Sequence, residues 1–359
     1  MFKLIPRPAS SKLWTFASPV LALVVTVIVG LAIFSLLGKD PVRGLLVFFW
    51  EPIKSGYALG ELMVKATPLL IIALGLAVCF RANVWNIGAE GQFVMGAVFA
   101  GGVAITVDGN SNPFGIALVP AILFAGVLGG MVWAGITALL KDRFNANEIL
   151  VSLMLVYIAV LTLNFMVHGP WKDPGGYNFP QSKTFDALTS IPRLFKGSRV
   201  NIGLILALLG AGALWLFLYR TKAGFALIVG GQTPAAAAYA GFSSRKALWT
   251  ALLISGGAAG LAGALEVAGP IGQLTPYVPA GYGFAAIIVA FVGRLHPAGI
   301  IVSSILMSMF YIGGELAQSR LGVPKSVTGV FQGLLLFSLL ACDTLIAYQI
   351  KWQSKRGLG

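Results

Sequence analysis

Long apolar runs alternate with short polar breaks along the chain, at about residues 18–38, 58–80, 87–107, 114–140, 147–167, 201–219, 247–268, 281–293, 298–317 and 327–350. Most approach the roughly 20 helical residues that cross a hydrocarbon layer about 30 Å thick. Neither two-residue alternation nor strand-length segmentation appears, and hydrocarbon offers no partner to an unpaired backbone group, so the pattern predicts helices rather than barrel strands. The expected fold is an all-α membrane protein of about ten transmembrane helices. The short run at 281–293 predicts a tilted or partly re-entrant helix. The organisation read from these runs is a tail over 1–17, a polytopic domain over 18–350 and a second tail over 351–359.

Composition agrees with this pattern. Of the 359 residues, 57% are hydrophobic and 10% charged, with a mean hydropathy of +0.87, whereas a soluble domain carries about 25% charged residues. A net charge of +13 would suggest nucleic acid in a soluble protein. Here the basic residues flank apolar runs, where membrane orientation accounts for them, and no nucleic-acid partner is expected. With the N-terminus inside, Lys3, Arg7, Lys12, Arg81, Lys141, Arg143, Arg220, Lys222, Arg245, Lys246, Arg294, Lys351, Lys355 and Arg356 fall on the cytoplasmic side, against Lys39, Arg43, Lys54, Arg320 and Lys325 outside. Fourteen to five favours both termini inside. The exception is the external stretch 168–200, which carries Lys172, Lys183, Arg193, Lys196 and Arg199; Pro170, Trp171, Pro174 and Pro180 within it predict a compact lid. The first run exceeds a signal-peptide core and reads as a retained span.

Catalytic chemistry is not apparent. Cys79, Cys342, His168 and His296 have no metal-ligand or disulfide spacing, and the phosphate loop G-x-x-x-x-G-K-[ST] is absent, so the chain is not expected to be an enzyme or to hold a cofactor. Gly281, Gly283 and Ala286 satisfy G-x-G-x-x-A, but no strand precedes them, which favours close helix packing over a dinucleotide site. Gly256, Gly257, Gly260 and Gly263 carry the small-residue spacing that brings helices together in lipid.

The informative cytoplasmic segment runs over 220–246 as RTKAGFALIVGGQTPAAAAYAGFSSRK. Its polar ends, and its interruption by Gly230 and Gly231, argue against a membrane crossing. Thr233 suits a helix N-cap, Pro234 the first helical position, Ala235, Ala236, Ala237, Ala238 and Tyr239 the body, and Gly241 a left-handed exit. A helix of about two turns with small side chains suits insertion into a groove of another protein.

A second polar interruption, RANVWNIGAEGQ at 81–92, places Asn83, Asn86, Glu90 and Gln92 between two apolar runs. A carboxylate at mid-membrane depth costs about 2.5–3.5 kcal/mol on insertion scales, so Glu90 needs compensation. Three readings stand: hydration in a shallow loop, pairing with Arg81, or lining a water-filled path beside a broken helix. Glu266 and Glu315, near the outer ends of their runs, are expected to be solvated. Asn164 and Gln332 suit bonding across helices or a pore face.

The segment GGQTPAAAAYAG between the sixth and seventh runs resembles the coupling-helix segment of bacterial ABC importer permeases, within the sugar, ribose and nucleoside branch. RANVWNIGAEGQ is similar to the signature between the second and third spans of the nucleoside-type permeases, and Asn147, Glu148 and the GRLHPAG turn at 293–299 fit the same family. The resemblance implies a type II ABC importer-like permease in a bacterial inner membrane. It implies a partner ABC ATPase that binds ATP-Mg and grips Thr233–Gly241, a second homologous permease subunit, and an external solute-binding protein. On charge alone, the basic loop at Lys172 to Arg199 reads either as a dock for an acidic face of that binding protein or as a solvated, lipid-touching lid. The implied substrate is a nucleoside, then a simple sugar such as ribose or galactose, then a branched-chain amino acid. An ion-coupled secondary transporter is the alternative of a different class; it would need coupling carboxylates inside several spans and no alanine-rich cytoplasmic helix.

Overall fold

The structure is a computed structural model that describes residues 2–6, 12–107, 117–195 and 197–352. The start of the run read from 114, parts of both tails, and Arg7, Lys196, Lys355 and Arg356 of the charge count lie outside the described residues. In chain order the elements are β1 (Phe2–Pro6), α1 (Lys12–Leu36), α2 (Pro41–Leu45), α3 (Gly56–Arg81), α4 (Ala89–Ile105), α5 (Leu118–Phe144), α6 (Glu148–His168), α7 (Gly203–Arg220), α8 (Lys222–Gln232), α9 (Pro234–Tyr239), α10 (Ser244–Glu266), α11 (Tyr282–Val292), α12 (Pro297–Leu321), α13 (Ser326–Ala347) and β2 (Tyr348–Trp352). Among the described residues eight helices are long and apolar enough to cross a membrane, and α4 and α11 are shorter apolar helices, so every predicted run holds a helix. At 1.5 Å per residue α11 is about 16 Å long, roughly half a hydrocarbon layer.

The chain forms two compact units, Gly56–Ser308 and Met1–Ser55 with Met309–Gly359. In the first, α3 is apolar on all sides and buried from Pro68 to Cys79, while Lys65 and Glu61 stand one and two turns before that stretch. The small residues of α10 pack against α5 and α4. A side chain on Gly130, Gly256 or Gly260 would run into the backbone of the facing helix, which is the close approach anticipated from their spacing. In contrast, α6 buries a narrow stripe of Ser152, Val156, Ala159, Leu163 and Val167 and turns Met154, Tyr157, Leu161 and Phe165 outward, the division expected of a helix facing lipid on one side. Asn147 starts α6 by accepting from the amides of Ile149 and Leu150 at 2.9 and 3.3 Å, and Glu148 pairs with Lys141 at 3.0 Å. Asn164 bonds the carbonyl of Val160 in its own helix.

In the second unit α1 packs on α13, and Phe34, Phe48, Phe310 and Phe331 form a ring cluster, with Phe48 stacked on Phe331 at 4.6 Å. Arg320 pairs with Glu51 at 2.5 Å. Two strands depart from the all-helical expectation. β1 and β2 form an antiparallel ladder with Phe2 opposite Trp352 and Pro6 opposite Tyr348, so the last span ends at Ala347 rather than 350 and part of the expected N-terminal tail is extended. A further departure concerns Gly230 and Gly231, because α8 runs through both. Gly231 serves close packing: a side chain there would meet the backbone of Arg81 and Ala82.

Candidate functional site

The segment between α3 and α4 reverses direction at Asn83, which takes a positive φ of 56°, a conformation asparagine tolerates better than most residues. Arg81 is committed to the turn between α11 and α12. Its Nε donates to the carbonyl of Leu295 at 2.9 Å, and its guanidinium lies 5.4 Å from the centre of the Tyr219 ring. It therefore does not pair with Glu90.

Glu90 is 2% exposed, which removes the shallow, hydrated reading as well. Its carboxylate accepts from the amides of Gly281 at 2.8 Å and Gly283 at 2.5 Å, at the start of α11. Helix N-termini carry unpaired amides and partial positive charge, so this is a chemically complete seat for an acid. Gly283 makes it possible, since a side chain there would strike the backbone of Glu90. The glycines read as packing residues thus also supply the donors. Two residues further along α4, Gln92 exchanges two amide hydrogen bonds with buried Asn86 at 2.9 and 3.1 Å, and Asn86 also donates to the hydroxyl of Ser255 at 3.0 Å. Asn86, Glu90 and Gln92 therefore all face protein partners.

Asn83 is exposed and lies elsewhere. It lines a groove of about 640 Å3 together with Ala226 and Gly230 of α8, Pro234 and Ala237 of α9, and Ser243 beside α10. The sequence segment read as a coupling helix is α9: Pro234 opens it, and Gly241 closes it at φ 81°. Thr233 stands at the N-cap position without capping; its hydroxyl donates back to the carbonyl of Val229 at 3.3 Å, because α8 ends immediately before it. Ala237 is buried, whereas Ala235, Ala236 and Ala238 are exposed and Tyr239 is 96% exposed. The flanks are stiff. Phe242 packs edge-on against Phe225 at 6.1 Å, Ser243 caps α10, and Asp142 of α5 receives both Arg245 at 2.8 Å and the Trp249 indole at 3.1 Å.

A third polar region was not legible in the sequence. Glu266, expected to be solvated, is 8% exposed, with the Tyr282 hydroxyl 3.5 Å away. Lys65 of α3 stands over the Tyr282 ring at 5.6 Å. Both side chains border a cavity of about 270 Å3 that also meets Arg199, Thr275 and Tyr277. Arg199 belongs to the loop between α6 and α7 and forms a forked pair with Glu61, its Nε 2.9 Å from one carboxylate oxygen; that hydrogen bond holds the guanidinium above its ordinary pKa. The loop is compact, as its prolines suggested. Backbone bonds tie Ser182 to Leu274, Phe185 to Gly272 and Ile191 to Ala268, at 2.7–2.9 Å. The signal for Lys65 was its placement inside an apolar run, where an ionised side chain needs a partner or water.

Comparison with known proteins places these features in context. Residues 58–340 match the family model described as branched-chain amino acid transport system / permease component. The chain is 30% identical over 358 residues to the glucose ABC transporter permease of Haloferax volcanii, covering 97% of this chain and 93% of that protein. It is also 30% identical to the guanosine ABC transporter permease of Bacillus subtilis, over 94% and 97% of the two chains. The nucleoside ABC transporter permease NupB of Lactococcus lactis is 25% identical, over 89% of each. The match decides against the ion-coupled alternative. With ten apolar helices among the described residues and a family match spanning all but the ends, the chain belongs to this family of transport-system permeases and is a multi-pass membrane protein of the ABC importer class.

Proposed function

We propose that this permease subunit carries a nucleoside inward across a bacterial inner membrane, with both termini cytoplasmic. The substrate arrives from an external binding protein, a second homologous permease completes the path, and a separate ATPase, which binds ATP-Mg, supplies the work. The observation that carries the coupling part is α9, whose alanine face and Tyr239 project from a frame fixed at both ends. A stiff handle transmits displacement, whereas a loose one would absorb it. The groove beneath α9 reaches Asn83 at the foot of α3, so a push on α9 acts on the helix that borders the Lys65 and Glu266 cavity. Within this scheme Asn86, Glu90 and Gln92 brace α4 to α10 and α11 so that the three move together.

Nucleoside is favoured because two of the relatives described above are named for guanosine and nucleoside transport. A simple sugar is the second reading, on the strength of the glucose permease relative. Uptake by cells carrying the complete transporter separates them. Labelled uridine or guanosine should accumulate and be displaced by unlabelled nucleosides but not by glucose, ribose or galactose; the reverse pattern overturns the nucleoside reading.

A further inference from the structure

The cavity bounded by Lys65, Arg199, Glu266, Thr275, Tyr277 and Tyr282 is more than a gap beneath the loop, and we propose that it is a substrate subsite in this chain for the cis-diol sugar ring of a nucleoside. The inference rests on the nucleoside reading above and deepens it. Lys65 lies within α3 and Glu266 ends α10, both in helices long and apolar enough to cross the membrane. Ionisable side chains in such helices face one another or a water-filled cavity, and these two border the same one. Their chemistry is complementary to a diol: a carboxylate accepts from two adjacent hydroxyls, while an ammonium and a phenol donate to the ring and hydroxyl oxygens. Lys65 offsets Glu266, and Glu61 offsets Arg199, so the lining is balanced and suits an uncharged polyol rather than a phosphorylated one. At about 270 Å3 the space is smaller than the roughly 300–1,000 Å3 of a full ligand pocket, which fits part of a nucleoside. Tyr277, 87% exposed, offers a ring at the rim on which the base stacks. A partial site of this kind holds its ligand weakly enough to pass it on.

The test uses the assembled transporter in lipid nanodiscs without the external binding protein, and reads saturation transfer by NMR to uridine, ribose, uracil and 2′,3′-dideoxyuridine. Transfer to the ribose protons of uridine is expected. It should fall about tenfold for dideoxyuridine and for Glu266→Gln, as for loss of one charge-assisted hydrogen bond. Tyr277→Ala should weaken transfer to the base protons and spare the ribose. Should Glu266→Gln fail to assemble, Lys65→Gln carries the same comparison. Equal transfer to uridine and dideoxyuridine, or unchanged transfer in the variants of a transporter that still imports nucleosides, overturns the subsite alone. Transfer to free ribose but not to uridine, with no nucleoside uptake, overturns the nucleoside reading together with it.

Discussion

At the scale of single residues, the most consequential finding is how Glu90 is accommodated. An acid inside a membrane protein invites a pathway reading, and the sequence leaves that reading beside a loop and an ion pair. Two amides at the start of α11 satisfy the carboxylate, which removes the loop and the ion pair through a contact between positions 191 and 193 residues apart that local pattern cannot reveal. Glu90→Gln would set an amide NH2 against one of those backbone donors. Loss of a buried bond of this kind costs about 1–3 kcal/mol, so the purified protein should unfold at a lower temperature in detergent; an unchanged midpoint would contradict the brace. Glu266 teaches the same lesson from the other side. Its place near the end of an apolar run suggested solvation, whereas the fold buries it beside Tyr282 and a cavity that Lys65 and Arg199 also line. Thr233 is a smaller case: residue type and spacing named the N-cap position, but the end of α8 one residue earlier gives its hydroxyl a different partner.

Elements were more legible than contacts. Apolar runs located the ten apolar helices found among the described residues, and α9 was bounded to the residue by Pro234 and Gly241, because proline and glycine act through local backbone geometry. The continuity of α8 through Gly230 and Gly231 was missed, since packing against the end of α3 outweighs a glycine penalty of about 1 kcal/mol per residue. The small-residue face of α10 gives a sharp test. Gly260→Leu should prevent α10 from meeting α5, abolishing recovery of folded protein, while Gly212→Leu in α7, where a side chain would meet nothing within 4 Å, should be recovered at normal yield. Equal recovery of the two would show that the stripe is not a packing surface. The loop between α6 and α7 makes a second element-scale prediction. Glu61→Gln removes the charge that holds Arg199, and limited proteolysis within residues 169–202 should accelerate; an unchanged cleavage rate would mean that the backbone bonds to 268–274 hold the loop by themselves.

For the whole molecule, composition and run length established the membrane class before any motif was considered, because too few polar residues exist to cover a water-facing surface. The paired terminal strands lay beyond that reasoning, since their partners sit at opposite ends of the chain. In the proposed scheme, sequence is linked to activity at this scale by the course from α9 through the Asn83 groove to α3. Charge placed on the exposed alanine face, as in Ala236→Glu, should leave the protein inserted yet reduce ATP-driven uptake by about tenfold or more, the consequence of some 1.4 kcal/mol lost from the coupling contact; full uptake would separate α9 from energy transfer. The most direct measurement is cross-linking from Tyr239→Cys to the ATPase subunit in intact membranes, where the native Cys79 and Cys342 are buried and stay silent. A cross-linked permease–ATPase product that changes in yield between nucleotide-free and ATP-bound states is the predicted result. Labelling of that cysteine from the external face, with no product in either state, would contradict the account.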